Sequence, residues 1–224
     1  MAAVISIKSL NKTYKNGFSA VTDLSLEVQA GEFIALLGPN GAGKSTTIGI
    51  LTTLVNKTSG QIVINGYDLA KKPLQAKAEL GVVPQEFNFN PFESVEQILL
   101  NQASFQGIVQ AQAKLKVDQL LDEVGLTAKR KQAAQTLSGG MKRRLMVARA
   151  LIHDPKVLIL DEPTAGVDIE VRQGIYQFLE ERNKQGLTII LTTHYLEEAE
   201  RLCDRIAIIN HGQIIKDIKK RSFI

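Results

Sequence analysis

The sequence predicts an α/β protein with a mostly parallel sheet, an N-terminal antiparallel β part and a helical subdomain. Three observations support this. The opening third is rich in strand patterns, the middle contains only helical patterns, and strands alternate with helices in the last third. Strands that alternate with helices are typical of a parallel sheet covered on both faces. The 224 residues suffice for one large domain.

The strands of the opening third alternate or form short apolar runs. AVISIKS and LSLEV alternate, whereas FIALL at 33–37 is a continuous apolar run that leads into glycine. The segment KSTTIGILTTL then predicts a helix. Two further strands follow, QIVING at 61–66 and LGVVPQ at 80–85.

No strand pattern occurs between about Pro91 and His153. SVEQILLNQASF is typical of a helix, and AKLKVDQLLDEVG carries an apolar stripe that ends at Gly125. A third helix begins within TLSGGMKRRL. We therefore predict a single domain, 1–224, with a core of residues 1–90 and 154–224 and a helical subdomain of residues 91–153.

Strand and helix alternation resumes after the helical stretch. KVLILDEP and LTIILTTH predict strands, while IEVRQGIYQFLEERNKQG and YLEEAERLC predict helices. RIAIINHGQIIKDI predicts a hairpin around His211 and Gly212.

Composition narrows the class of protein. One cysteine, Cys203, rules out a disulfide within the chain, and no apolar run approaches the roughly 18 residues of a membrane span. The N-terminus lacks the pattern of a signal peptide. A net charge of +4, mostly spread along the chain, does not favour nucleic acid as a partner. We expect a cytoplasmic protein.

GPNGAGKS, residues 38–45, matches the phosphate-binding pattern G-x-x-x-x-G-K-[ST]. A buried strand leads into it and a helix leaves it, so backbone N–H groups and the helix N-terminus are expected to face a phosphate. Lys44 is expected to bridge the β- and γ-phosphates of a nucleotide, and Ser45 to bind Mg²⁺. The alternative is a glycine-rich turn with an incidental lysine.

Two acidic residues, Asp161 and Glu162, follow the strand pattern VLIL. They predict the magnesium-binding and catalytic part of a nucleotide site. Asp161 is expected to reach the magnesium shell, and Glu162 to hold an attacking water as a general base. The alternative is a pair of acidic residues near a helix N-cap.

The nucleotide is not expected to be GTP, because the three N-K segments, at 11, 56 and 183, all lack the aspartate of N-K-x-D. A small-molecule kinase would not explain LSGG at 137–140. With these motifs in order, the chain closely resembles the ATPase subunit of ABC transporters over nearly its whole length. The resemblance implies a P-loop NTPase core of RecA-like type.

The resemblance implies a role for each motif. VVPQE matches the Q-loop, AGVD at 165–168 the D-loop, and LTTH the switch histidine. It assigns catalysis to Glu162, His194 and Gln85, and Mg²⁺ to Ser45, Gln85 and Asp161. The residues that it implies for ATP are Tyr14, which stacks on adenine, and Gly38, Pro39, Asn40, Gly41, Ala42, Gly43, Lys44, Ser45 and Thr46.

The signature LSGGM implies a second ATPase subunit, expected to be an identical chain. In the family, this segment serves the nucleotide held by the other copy. Those residues here are Leu137, Ser138, Gly139, Gly140 and Met141, together with Asp168 in the D-loop. Met141 departs from the commoner glutamine, and its thioether cannot donate the hydrogen bond of an amide. LSGGMKRRL resembles the type-two exporter subclass, whose membrane subunits are often separate chains.

Several residues carry two interpretations. Phe87, Phe89 and Phe92 form either a core edge or an apolar groove for a cytoplasmic helix of a transmembrane permease subunit, which would dock near Gln85–Phe92. Arg143 and Arg144 form either a solvated face or part of an anion site. His194 is either a contact to the γ-phosphate or a packed or capping histidine. Tyr14 also suits a plain turn, and Asp168 a helix N-cap.

The resulting hypothesis is an ATP-hydrolysing exporter subunit on the cytoplasmic face of the inner membrane. One rival is a soluble ABC ATPase of translation or DNA repair, which usually carries two cassettes or a long coiled-coil insertion. Another is a non-catalytic ATP-binding module, against which Glu162, Gln85 and His194 argue.

Overall fold

The computed structural model describes residues 3–164 and 169–220. It contains two sheets and seven helices. The strands are β1 Ala3–Thr13, β2 Ser19–Gln29, β3 Phe33–Leu37, β4 Ser59–Ile64, β5 Tyr67–Asp68, β6 Leu80–Val83, β7 Val157–Asp161, β8 Thr188–Thr193, β9 Arg205–Asn210 and β10 Gln213–Lys219. The helices are α1 Lys44–Leu51, α2 Pro73–Ala78, α3 Val95–Phe105, α4 Gln110–Glu123, α5 Gly139–Leu151, α6 Ile169–Lys184 and α7 Leu196–Leu202.

The larger sheet confirms the predicted mostly parallel sheet. Its strand order is β10-β9-β3-β8-β7-β6, and every pair except β10 with β9 is parallel. The smaller sheet has the order β2-β1-β4-β5 and is antiparallel throughout, as predicted for the N-terminal part.

Alternate side chains of the parallel strands enter two different cores. In β3, Phe33 and Ala35 pack with the helices of the middle stretch, whereas Ile34 and Leu36 pack towards the antiparallel sheet and α1. Successive side chains of a strand point to opposite faces. Because both faces are covered, the strands are continuous apolar runs in sequence.

The middle stretch 91–153 is fully described, and all of its named elements are helical: α3, α4, α5 and two short 3₁₀ turns, Thr127–Lys129 and Ala134–Thr136. This agrees with the helices expected there, while the boundaries of a separate subdomain stay a prediction. Strand β5 and helix α2 were not predicted, since each is very short and has no clear periodicity.

Across the described residues, each helix is either too short or too polar to cross a bilayer.

Candidate nucleotide site

Four neighbouring parallel strands bring the candidate residues to one edge of the sheet. In the order β3-β8-β7-β6, the segments that follow these strands begin with Gly38, His194, Glu162 and Pro84. Crevices at the carboxyl ends of parallel strands are the usual place for a ligand in open α/β sheets. Residues far apart in the sequence therefore converge at this edge.

The loop 38–45 requires glycine at two positions. A Cβ at Gly38 would lie 2.3 Å from the carbonyl oxygen of Ile209, and one at Gly43 would lie 2.6 Å from that of Ala20. Gly43 also has φ +106°, a left-handed conformation that other residues rarely adopt. It precedes α1, and no side chain caps this helix N-terminus. The first backbone N–H groups of α1 thus remain available to an anion.

Lys44 lies inside the loop, with 5 % of its surface exposed. Its Nζ donates hydrogen bonds to the carbonyl oxygens of Gly38, at 2.7 Å, and Pro39, at 3.0 Å. Burial lowers the pKa of Lys44, and the carboxylates of Glu162 and Asp161 partly oppose this effect. The ammonium group is therefore desolvated and would gain from an anionic partner.

One residue of β8, Thr192, contacts both acidic residues at the end of β7. The hydroxyl of Thr192 donates to Asp161 Oδ1 and accepts from the backbone N–H of Glu162 at 3.2 Å. Glu162 has φ +48°, in the left-handed region. This conformation is uncommon for a residue other than glycine, and six other described residues share it.

Glu162 lies at the centre of the site, with its side chain 12 % exposed. Its Oε1 is 3.2 Å from His194 Nδ1 and 3.8 Å from Lys44 Nζ. Its Oε2 accepts a hydrogen bond of 3.4 Å from Gln85 Nε2. The structure thus places the side chains of Lys44, Gln85 and His194 around the carboxylate of Glu162.

The cavity at the loop has a volume of about 310 Å³. It is lined by Phe18, Ala20, Asn40, Gly41, Gly43, Lys44, Ser45, Thr46, Gln85 and Glu162. Tyr14 lies beside it: its hydroxyl is 3.4 Å from Thr46 Oγ1, and its ring stacks on Phe18 with centroids 6.5 Å apart. The aromatic surface near the loop therefore comprises two rings.

Sequence reasoning missed Phe18 and Thr192. The hairpin signal Asn16-Gly17 could have placed Phe18 opposite Tyr14, since the backbone N–H of Tyr14 donates to the carbonyl oxygen of Phe18 at 2.9 Å. Thr192 carries no comparable signal, because its role depends on the pairing of β7 with β8.

The signature residues form the start of α5. Ser138 is the N-cap, and its hydroxyl accepts a hydrogen bond of 3.3 Å from the backbone N–H of Met141. Ser138 and Gly139 are exposed, whereas Leu137 and Gly140 are buried and Met141 is half-buried. None of these five described residues lines the cavity at the phosphate loop of the same chain.

The solvated-face interpretation of Arg143 and Arg144 is wrong. Arg143 is 2 % exposed and donates to the carbonyl oxygens of Pro84 and Gln85, both at 2.8 Å. Arg144 is half-buried and donates to the carbonyl oxygen of Val124 at 3.0 Å. Both side chains therefore form hydrogen bonds with backbone carbonyl groups of the same chain.

The three phenylalanines after Gln85 divide between the two interpretations. Phe89 packs against the core, whereas Phe87 is 44 % and Phe92 is 75 % exposed. Phe89 and Phe105 also line a groove of about 710 Å³ with Ile98 and several polar residues.

The D-loop residue Asp168 lies outside the described residues.

With this geometry established, comparison with known proteins identifies the family. The family model described as "ABC transporter" matches residues 21–165, more than half of the chain. The chain belongs to the ABC transporter family. It is an ABC ATPase that binds ATP, as the resemblance in its motifs implied.

Relatives and solved structures agree with this membership. The chain is 41 % identical to the linearmycin resistance ATP-binding protein LnrL of Bacillus subtilis, over 95 % of this chain and 68 % of that protein. It is 41 % identical to the Nod factor export ATP-binding protein I of Cupriavidus metallidurans, over 100 % of this chain and 74 % of that protein.

Among solved structures, an ATP-binding cassette in a dimeric post-hydrolysis state bound to ADP and Pi is 26 % identical. It matches with a TM-score of 0.88 over 98 % of this chain and 100 % of that one. This ABC fold includes both sheets and the intervening helices. It confirms the fold class expected from the sequence.

Proposed function

We propose that this chain is the ATP-hydrolysing subunit of an ABC exporter, and that two identical copies close on ATP to drive a separate membrane subunit. The observation that carries this proposal is the position of Glu162, whose carboxylate is contacted by Lys44, Gln85 and His194. Export is supported by relatives named for resistance and for Nod factor export.

The phosphate loop binds the triphosphate in this proposal. Lys44 exchanges the carbonyl oxygens of Gly38 and Pro39 for phosphate oxygens, and the uncapped N-terminus of α1 adds N–H donors. Tyr14 and Phe18 supply aromatic surface for the adenine. The remaining loop residues proposed for ATP contribute backbone or small side chains that leave room for it: Pro39, Asn40, Gly41, Ala42, Gly43, Ser45 and Thr46.

Glu162 is the proposed general base. Its carboxylate would take the proton of a water that attacks the γ-phosphate, and the side chain lies close to Lys44 with only 12 % of its surface exposed. His194, whose Nδ1 donates to Glu162 Oε1 in the corresponding tautomer, orients this carboxylate. Gln85 binds the other oxygen of Glu162 and limits its rotation.

The residues proposed for Mg²⁺ fit that ion by their chemistry. The Ser45 hydroxyl, the Asp161 carboxylate and the Gln85 amide oxygen are the hard oxygen ligands that Mg²⁺ prefers. A bound Mg²⁺ would neutralise charge on the phosphates. Thr192, which donates to Asp161, would keep this carboxylate in place.

Signature residues 137–141 are proposed to bind the nucleotide of the second copy, together with Asp168. The supporting observation is that Ser138 and Gly139 are exposed at a helix N-terminus, away from the cavity of their own chain.

The membrane subunit is proposed to dock along Gln85–Phe92 and the adjoining groove, through an apolar cytoplasmic helix. The chain would then work as a peripheral protein on the cytoplasmic face of the inner membrane.

The test of the transport assignment is copurification from membranes of a cell that contains the chain. The tagged protein should copurify with a multi-span membrane protein, and that protein should raise its ATP turnover when both are reconstituted in vesicles. Phe105→Ser removes an apolar ring that is 86 % exposed in the groove, and should weaken this association. Leu54→Ser, which changes an apolar side chain that is 85 % exposed and lines neither the groove nor the cavity at the phosphate loop, is the control and should retain the association. Association with ribosomes or DNA instead would contradict the proposal.

A further inference from the structure

Two arginines of α5 fasten the loop that follows β6. Arg143 donates through Nη1 to the carbonyl oxygen of Pro84 and through Nη2 to that of Gln85, both at 2.8 Å. Six residues further along the helix, Arg149 Nη1 donates to the carbonyl oxygen of Asn88 at 3.0 Å, and Nη2 donates to the side-chain oxygen of Asn88. The loop is therefore attached to the helix that begins with the signature residues.

Arg143 is costly to bury. It is 2 % exposed, and across residues 3–164 and 169–220 it forms no ion pair with a carboxylate. Its Nε is also buried without a hydrogen-bond partner among these residues. Desolvation lowers the pKa of Arg143. A methionine would fill much of the same space without this cost, so stability alone does not explain a guanidinium here.

The hydrogen bonds and the ring contact of Arg143 among the described residues lie in one loop. The planar guanidinium uses its two terminal nitrogens as a fork, and so fixes two successive carbonyl groups at once. The half-exposed ring of Phe87 lies beside it, with the guanidinium carbon 5.1 Å from the ring centroid. The backbone from Pro84 to Phe87 is thereby held against α5.

This loop places the side chain of Gln85 next to that of Glu162. The side chain of Gln85 starts at the backbone that Arg143 fixes, and its Nε2 reaches Glu162 Oε2 at 3.4 Å. A small shift of this backbone would break so long a hydrogen bond. We propose that Arg143 is a positioning residue that fastens Gln85 to the signature helix, so that the approach of Gln85 to Glu162 follows the movement of α5.

The inference rests on the proposed roles of Gln85 and Glu162, and it adds the link between them and α5. When α5 meets a second subunit, Arg143 transmits its position to the reacting centre through backbone, without touching nucleotide.

The experiment compares Arg143→Met with Arg144→Met. Each variant removes a guanidinium of α5 that binds backbone carbonyl, but only Arg143 contacts residues 84–87. Hydrogen exchange of the peptide covering residues 84–92 should become faster in Arg143→Met and stay unchanged in Arg144→Met. The kcat for ATP should fall about tenfold in Arg143→Met, as expected for loss of a group that orients a metal-site residue.

A double-mutant cycle with Gln85→Ala separates positioning from general destabilisation. If Arg143 acts through Gln85, Arg143→Met should cause no further fall in kcat in the Gln85→Ala background, whereas any effect of Arg144→Met should be the same in both backgrounds. Arg143→Lys keeps the charge but loses the fork, so it should give an intermediate result, and it replaces Arg143→Met if that variant does not fold.

The outcomes distinguish this inference from the proposed function. Unchanged exchange in the Arg143 variants overturns the inference, whatever their activity. Equal falls in kcat with and without Gln85 also overturn it. If exchange becomes faster but Gln85→Ala itself keeps full activity, the proposed role of Gln85 fails, and the positioning role fails with it.

Discussion

At the scale of single residues, the site depends on charges held away from water. Lys44 is buried among carbonyl oxygens and close to one carboxylate, Glu162, and its pKa is lowered mainly by desolvation. The triphosphate of ATP would place several negative oxygens around this ammonium group. Since opposite charges favour the charged form, the pKa of Lys44 should rise on binding.

ATP binding should therefore take up protons at alkaline pH. The affinity should be highest below the lowered pKa of free Lys44, and should fall as pH rises through that value towards the higher pKa of the bound state. Calorimetry in two buffers of different ionisation enthalpy measures this uptake. Lys44→Arg keeps a charge that does not titrate, and should lose the uptake. The same uptake in Lys44→Arg would assign the proton to another group.

The two neighbouring carboxylates should separate binding from chemistry. Glu162→Gln keeps the size of the side chain but removes the base, so turnover should fall by about 10² to 10⁴ while ATP still binds. Asp161→Asn should instead weaken binding of ATP in the presence of Mg²⁺, and much less in its absence. Calorimetry and steady-state turnover of the two variants test this, and equal binding defects in both would refute the division of roles.

At the scale of elements, close packing of α5 on β6 sets the distance between the signature helix and the Gln85 loop. Gly81 of β6 allows this approach, because a Cβ there would lie 2.3 Å from the carbonyl oxygen of Ala150 and 2.9 Å from Pro155 Cγ. The backbone carbonyl of Ala150 cannot move away from an added Cβ as the end of a flexible side chain could. The absence of a side chain at position 81 is thus a condition for the contact.

Gly81→Ala should lower the free energy of unfolding by about 1 to 3 kcal/mol through overpacking. The matched control is Gly174→Ala, because Gly174 lies within α6 and a Cβ there meets nothing within 4 Å. This control should raise the free energy of unfolding by up to about 1 kcal/mol, since alanine is the better helix former. Urea denaturation measures both changes. A Gly81→Ala protein as stable as the wild type would show that α5 moves away from β6 at little cost.

At the scale of the whole molecule, the chain has two candidate surfaces for a nucleotide. One is the phosphate loop, and the other is the N-terminus of α5, which does not line the cavity at that loop. Two copies related by a two-fold axis would use each surface once per nucleotide, and such an arrangement closes at two subunits. The solved dimer that matches this fold is a post-hydrolysis state with ADP and Pi. Dimer closure on ATP would explain why Ser138 and Gly139 are exposed in the single chain.

Glu162→Gln should form a dimer when ATP is added, because it retains ATP and loses a negative charge near the γ-phosphate. Adding Ser138→Arg should abolish the dimer, since a long side chain would occupy the place of the partner's phosphate. Size-exclusion chromatography of both variants with and without ATP measures the result. A double variant that dimerises as well as Glu162→Gln would show that residues 137–141 do not face the partner's nucleotide.

The local features of this protein were determined by the sequence itself. Apolar runs specify β3, β7 and β8, and the spacing of two glycines, Lys44 and Ser45 specifies a phosphate loop, because both patterns act within a few residues. The family could be identified for the same reason, since its motifs are short and ordered.

Only the tertiary structure decided how these motifs meet. Gln85 and Glu162 are 77 positions apart, yet they form a hydrogen bond because the sheet places β6 beside β7. Arg143 looked like part of a solvated face, but the packing of α5 on β6 buries it against the carbonyl oxygens of the next loop. Strand order and helix packing depend on contacts between distant segments, and no pattern of neighbouring residues encodes them.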